Sequence, residues 1–163
     1  MTRPRQIAVT GKGAPDEELA QLAEEVGRRL AEADASVVCG GLGGVMEAAA
    51  RGAHGVDGEV IGILPGEDRG EANPHVTHVV ATGIGHARNL AVVASADAVI
   101  AIGGEWGTLA EMAFARRLGR PVVALRSWQV SGEGTMAGSP GIEVASSATE
   151  AAELALALAG NSG

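Results

Sequence analysis

Aromatic residues are almost missing from this chain: among 163 residues there are two tryptophans, one phenylalanine and no tyrosine. With Trp106, Phe114 and Trp128 as the only aromatics, Ala, Val, Leu and Ile must build the core, and base stacking on exposed aromatic platforms is nearly excluded. Basic charge is also short. Twelve Lys and Arg against twenty Asp and Glu give a formal net charge of −8, which argues against a phosphate-backbone binder while leaving room for a local basic spot that holds one small anion. Cysteine occurs once, as Cys39, so an intrachain disulfide, a four-thiolate zinc site and Cys-x-x-Cys redox chemistry are all excluded, and a reducing compartment is the natural reading. Long hydrophobic runs are lacking too. The N-terminal apolar run Ile7-Ala-Val9 stops far short of a signal-peptide core, and the stretch 90–102 is broken by Ser95 and Asp97 before it can span a bilayer. The expectation is a soluble cytoplasmic protein with neither a nucleic-acid nor a membrane partner.

What is present is enough apolar material for a sizeable core, at 46% hydrophobic and 20% charged residues. A typical domain takes ~100–200 residues, so residues 1–163 read as one domain. Strand-like and helix-like segments alternate along it. Ile7–Thr10, Ser36–Cys39, Glu59–Leu64, Thr77–Ala81, Ala98–Ile102, Pro121–Leu125 and Ile142–Ala145 read as short strands. Between them, helical spacing recurs from Pro15 through Leu19, Leu22, Val26 and Leu30, over Val45–His54, Gly85–Ser95 and Thr108–Leu118, and finally over Thr149–Leu158. Residues 65–76 and the Gly/Ser-rich 126–141 read as loops, the second of them mobile. Short apolar strands alternating with helices imply parallel pairing with both faces covered. The predicted fold is a doubly wound, mostly parallel, Rossmann-like α/β sheet of about seven strands, whose ligands bind beyond the carboxyl ends of the strands.

Two glycine clusters stand at strand-to-helix junctions: Gly40-Gly41-Leu42-Gly43-Gly44 and Gly103-Gly104-Glu105-Trp106-Gly107-Thr108. Gly11, closing the first strand, adds a third approach to the same crevice. Glycine allows close backbone approach, and the following helix points N–H groups at an anion, so the clusters read together as a phosphate cradle. Taken singly, each is also explained as a tight turn. Neither is a Walker A loop, and Met46 stands where a dinucleotide fingerprint needs its third glycine, so NAD is not favoured.

Thr108-Leu-Ala-Glu111 has the spacing of a capping box, which accounts for Glu111 structurally; a carboxylate meeting the ligand or a water is the functional alternative, and the two are compatible. Arg88, followed by Asn89, opens a helix where a cation opposes the dipole. A bound anion would compensate it, and otherwise it is a solvated surface arginine. His86 reads as exposed. The histidines at 54, 75, 78 and 86 form no metal signature, so no metal is expected. Cys39 ends an apolar strand and reads as a small buried hydrophobe. Lys12 in the first loop is weak evidence of a further cation at the crevice, and Asp97 reads as a turn residue.

Four motifs in order carry a resemblance: Cys39 through Ala53 (Cys-Gly-Gly-Leu-Gly-Gly-Val-Met-Glu-Ala-Ala-Ala-Arg-Gly-Ala), Gly62-Ile-Leu-Pro-Gly66, Gly85-His-Ala-Arg-Asn89, and Ser95 through Glu111. Over Ile7–Leu125 the chain resembles the Rossmann-like superfamily of LONELY GUY phosphoribohydrolases, proteins labelled "possible lysine decarboxylase", and molybdenum cofactor carrier proteins. Its look is nearest to the carrier-like branch. That branch implies a binding protein, carrier or sensor, for a small phosphorylated ligand of nucleotide or molybdopterin type, with no further cofactor required. The hydrolases instead carry Pro-Gly-Gly-x-Gly-Thr-x-x-Glu and an upstream arginine, which on this chain would make Glu111 and Arg88 the catalytic pair and Gly103, Gly104, Gly107 and Thr108 the phosphate holders. Ile102 stands where the hydrolases have proline, and Asn89 replaces the lysine that follows their arginine. Nothing resembles a pyridoxal phosphate lysine site. The resemblance also implies a homo-oligomer, dimer or tetramer.

Overall fold

Seven strands form one sheet in the order β4-β3-β2-β1-β5-β6-β7, and every pairing is parallel. The computed structural model describes residues 3–130 and 141–160. In chain order the elements are β1 (Gln6–Gly11), α1 (Glu17–Glu32), β2 (Ser36–Cys39), α2 (Val45–His54), β3 (Val60–Leu64), β4 (His78–Ala81), α3 (Arg88–Ala94), β5 (Ala98–Ile102), α4 (Trp106–Arg117), β6 (Val122–Leu125), β7 (Ile142–Ala145) and α5 (Ala148–Gly160).

The apolar runs form strands because both faces of the sheet are covered. Side chains alternate across a strand, so Ile7 and Val9 of β1 enter the core under α1, α2 and α5, with Val37, Ile100, Ile102 and Leu125. Ala8 enters the opposite core under α3 and α4, with Val38, Val99, Ala101 and Met112. At ~25 cal/mol per Å² of apolar surface removed from water, these two layers dominate the stability of an aromatic-poor chain.

The helix starts have local causes. Asp16 caps α1 by accepting the Leu19 N–H at 3.2 Å, so Pro15 precedes the cap instead of sitting in the first turn. The predicted helix Gly85–Ser95 opens with a 3-10 turn, Gly85–Ala87, before α3 begins at Arg88. The loop 65–76 holds a second 3-10 turn, Arg69–Glu71. Asp97 is more than a turn residue: it accepts the Gln6 N–H at 2.9 Å and pairs with Arg3 at 2.5 Å, fastening the start of β1 to β5. Of the loop expected over 126–141, residues 131–140 lie outside the described residues.

The chain runs from β1 outward to β4, then crosses to β5 on the other side of β1. The carboxyl ends of β1 and β5 are thus the topological switch point, the place where such sheets open a ligand crevice.

Candidate functional site

A pocket of about 280 Å³ opens at that switch point. Its walls come from the end of β1 (Val9, Thr10, Gly11), from Gly40, Leu42 and Met46 after β2, from His86, Arg88 and Asn89 at the start of α3, and from Glu105, Gly107, Thr108 and Glu111 on α4. Seven of the residues singled out in the sequence thereby meet: Gly11, Gly40, Arg88, Asn89, Gly107, Thr108 and Glu111.

Arg88 is 8% exposed, not the solvated surface residue that charge statistics allow. One terminal nitrogen, Nη1, donates to Oδ1 of Asn89, and Nη2 donates to the Gly40 carbonyl at 3.3 Å. Its Nε is buried without a hydrogen-bond partner. Burial works against the guanidinium's charge and lowers its pKa, while the nearby Glu111 carboxylate supports that charge. An arginine keeps its proton in proteins, so the outcome is a buried cation with one donor left over.

Glu111 is also 8% exposed. Burial raises its carboxyl pKa from 4.5 to about 7, against the opposing hydrogen bond from Thr10 and the attraction of Arg88. The site therefore contains one fixed cation and one carboxyl poised near neutrality. The capping-box reading of Thr108 and Glu111 does not hold. Helix α4 starts at Trp106, two residues before Thr108, with Glu105 as its cap residue; the Thr108 hydroxyl accepts the Glu105 N–H at 3.5 Å. Glu111 then lies in the second turn, where its side chain meets Thr10 of β1 instead of a free helix N–H.

The other glycines lie elsewhere. Gly41 packs on Leu64, where an added Cβ would come within 2.7 Å of Cδ2. Gly44 takes φ +65° as the cap of α2, under the Lys12 carbonyl, which accepts the Val45 N–H at 3.0 Å. Gly43 faces Glu47 and the Gly13 carbonyl. Gly103 and Gly104 wall a second recess of about 340 Å³ with Arg126, Ser127, Trp128 and Gln129. Lys12 turns to Asp16 at 3.3 Å and does not line the pocket. His54 meets the His75 carbonyl at 3.3 Å, and among the described residues no group of His, Cys, Asp and Glu could hold a metal. Cys39 is buried, and desolvation pushes its thiol up to about 11, which removes it as a nucleophile at neutral pH.

The roles of four residues escaped sequence reasoning. Thr10 merely ends a strand, with no signal of its bond to Glu111. Asn73 ties down the first glycine turn: its N–H donates to the Gly41 carbonyl and its side chain to the Leu42 carbonyl, both at 2.9 Å. Trp106 and Trp128 meet with ring centroids 5.2 Å apart, beside the second recess.

Comparison with known proteins agrees with this architecture. The chain is 44% identical over 121 residues, 74% of its length and 80% of the relative's, to an uncharacterized protein of Archaeoglobus fulgidus. Among solved structures, it is similar to the molybdenum cofactor binding protein of Rippkaea orientalis, with TM-score 0.87, 32% identity and coverage of 97% and 99% of the two chains. It is also similar to the molybdenum cofactor carrier protein of Chlamydomonas reinhardtii, with TM-score 0.84, 30% identity and coverage of 98% and 100%. No helix among the described residues is long and apolar enough to cross a membrane. The SLOG cluster4 family model matches residues 4–158, and the chain belongs to that family.

Proposed function

We propose that this protein is a carrier or sensor for a small phosphorylated ligand of molybdopterin or nucleotide type. The observation that carries the reading is Arg88: a buried guanidinium whose Nε has no partner, in a pocket at the sheet's switch point. Leaving a buried donor unsatisfied costs ~1–3 kcal/mol, and more for a charged group. A phosphate oxygen would satisfy it. The first turn of α4, with Gly107 and Thr108 on the pocket wall, adds the positive end of a helix dipole, and Gly11 and Gly40 let the ligand approach backbone. The solved neighbours, the molybdenum cofactor binding protein of Rippkaea and the molybdenum cofactor carrier protein of Chlamydomonas, support a cargo of that chemistry. The cargo supplies the phosphate; Arg88, oriented by Asn89 and the Gly40 carbonyl, supplies the charge.

A phosphoribohydrolase is the second reading, favoured by one observation: Glu111 holds a carboxyl with a pKa of about 7 beside Arg88. There Glu111 would take a proton from the water that attacks the anomeric carbon, as the N-glycosidic bond breaks toward the departing base. Asn89 speaks for the carrier. It accepts from Arg88, whereas a lysine at this position would repel the guanidinium.

Incubation with a panel of nucleoside 5′-monophosphates and with anaerobically prepared molybdenum cofactor, followed by desalting and mass analysis, separates the readings. Under the carrier reading the parent retains a phosphorylated ligand intact, Arg88→Ala does not, and Glu111→Gln binds within a few fold of the parent. Release of free base and ribose 5-phosphate by the parent, lost in Glu111→Gln, establishes the hydrolase instead. A parent that neither retains a ligand nor releases free base refutes both.

A further inference from the structure

The two tryptophans of this aromatic-poor chain meet at the surface, against the expectation that an aromatic platform is nearly excluded: Trp128 is half-buried and packs on the core under α3 and α4, and Trp106 lies beyond it. Trp106 is 77% exposed, the most exposed of the large hydrophobic side chains among the described residues. Trp128 is held in place: its indole N–H donates to the Glu105 carbonyl at 3.2 Å. Its ring also lies so close over Gly104 that an added Cβ there would sit 2.8 Å from Cδ1 and Nε1. The rings are tilted by only 34° with centroids 5.2 Å apart, so Trp106 leans against the fixed Trp128 ring and its remaining surface faces water.

Place in the fold narrows the contact. The recess of about 340 Å³ beside Trp128 carries Ser127, Gln129 and Arg126, groups able to hydrogen-bond the edge of a polar ring. It shares the turn Gly103-Gly104-Glu105 with the pocket that holds Arg88 and Glu111: Gly103 and Gly104 line the recess, Glu105 lines the pocket. Trp106 itself stands between Glu105 and Gly107, both of which line the pocket. A flat apolar face with polar groups at its rim, adjoining a cation, suits a planar heterocycle tethered to a phosphate.

We infer that Trp106 and Trp128 form a stacking platform for the nitrogen heterocycle, a pterin or a purine, of the ligand whose phosphate occupies the neighbouring pocket. The inference rests on the phosphate reading of that pocket. It assigns the recess to ring recognition and makes Trp106 a specificity-determining residue.

The chain has two tryptophans and no tyrosine, so its intrinsic fluorescence reports on this pair alone. Three ring-bearing probes, adenosine and guanosine 5′-monophosphate and 6-hydroxymethylpterin monophosphate, are titrated beside ribose 5-phosphate, which has the phosphate without the ring. At least one ring-bearing probe binds more tightly than ribose 5-phosphate and quenches the fluorescence after correction for its own absorbance. Trp106→Ala weakens that probe about tenfold, the scale of one base–indole stack, and leaves ribose 5-phosphate within about twofold; Trp106→Phe recovers most of the loss. Because Trp106 is solvent-exposed, the variants keep the fold, checked by an unchanged melting temperature. Ribose 5-phosphate binding through Arg88, with ring-bearing probes no tighter and no quenching, overturns the platform and leaves the phosphate reading standing. Failure of every phosphorylated probe to bind the parent overturns both.

Discussion

The turns after β2 and after β5 are both glycine-rich strand-to-helix junctions on the same edge of the sheet, yet the fold uses them differently. In the first, the space a Cβ would need is taken: at Gly40 by Nη2 of Arg88 and the sulfur of Met46, each 2.7 Å away, and at Gly44 by the Lys12 carbonyl. Asn73 holds the carbonyls of Gly41 and Leu42. This turn ties three loops together and backs the guanidinium. In the second, Gly103 and Gly104 are crowded as well, by Leu19 Cδ1 and by the Trp128 indole 2.8 Å from where a Cβ would stand, but at Gly107 the nearest atom outside its own helix backbone and chain neighbours is Asn89 Nδ2 at 3.8 Å. A glycine cluster thus mixes two statements, crowding by the protein itself at most positions and, at Gly107 on the pocket wall, room left for something else.

Substitutions that add one methyl group sharpen this contrast, and the largest effect falls in the crowded turn. Gly44→Ala must place a side chain at φ +65° against the Lys12 carbonyl, and is expected to cost about 4 kcal/mol in urea denaturation. The buried carboxyl between the turns comes next. Glu111 titrates near 7 in the fold against 4.5 as its reference. Between those pH values the folded chain holds a proton that the unfolded chain has released, so stability is full below 4.5 and falls as pH rises to 7. The loss is about 3 kcal/mol, and Glu111→Gln flattens it. Arg88→Lys keeps the charge but not the planar fork that reaches Asn89 and Gly40, and should weaken phosphate binding about tenfold at little cost in melting temperature. Smallest is Gly107→Ala at the open position, expected to change stability by less than about 0.5 kcal/mol while lowering phosphate affinity several fold. An equal stability loss at Gly44 and Gly107 would erase the contrast.

Strands buried on both faces were the most legible elements. Ser36–Cys39 and Ala98–Ile102, buried at every position, read correctly to the residue, as did the partly exposed edge strand Ile142–Ala145 and the helix Val45–His54 between its bounding glycines. The start of α4 was misread because Thr108-Leu-Ala-Glu111 imitates a capping box, while the true cap residue, Glu105, is held by extended backbone at φ −121° and by the Thr108 hydroxyl. Arg88 drew notice as a cation at a helix start, but its burial depends on a carbonyl at Gly40, far away in sequence. The Glu111–Thr10 and Trp106–Trp128 contacts are likewise long-range. No local pattern encodes them, since each exists only once β1, β5 and β6 lie side by side.

The central claim is that Arg88 makes the switch-point pocket an anion site. Titration calorimetry of ribose 5-phosphate into the parent and into Arg88→Ala tests it most directly. Saturable one-to-one binding by the parent, weakened about 100-fold in the variant as expected for removing one partner of a buried charge pair, is the predicted result. Equal affinities in the two proteins, or a parent that binds no phosphate monoester, would contradict it.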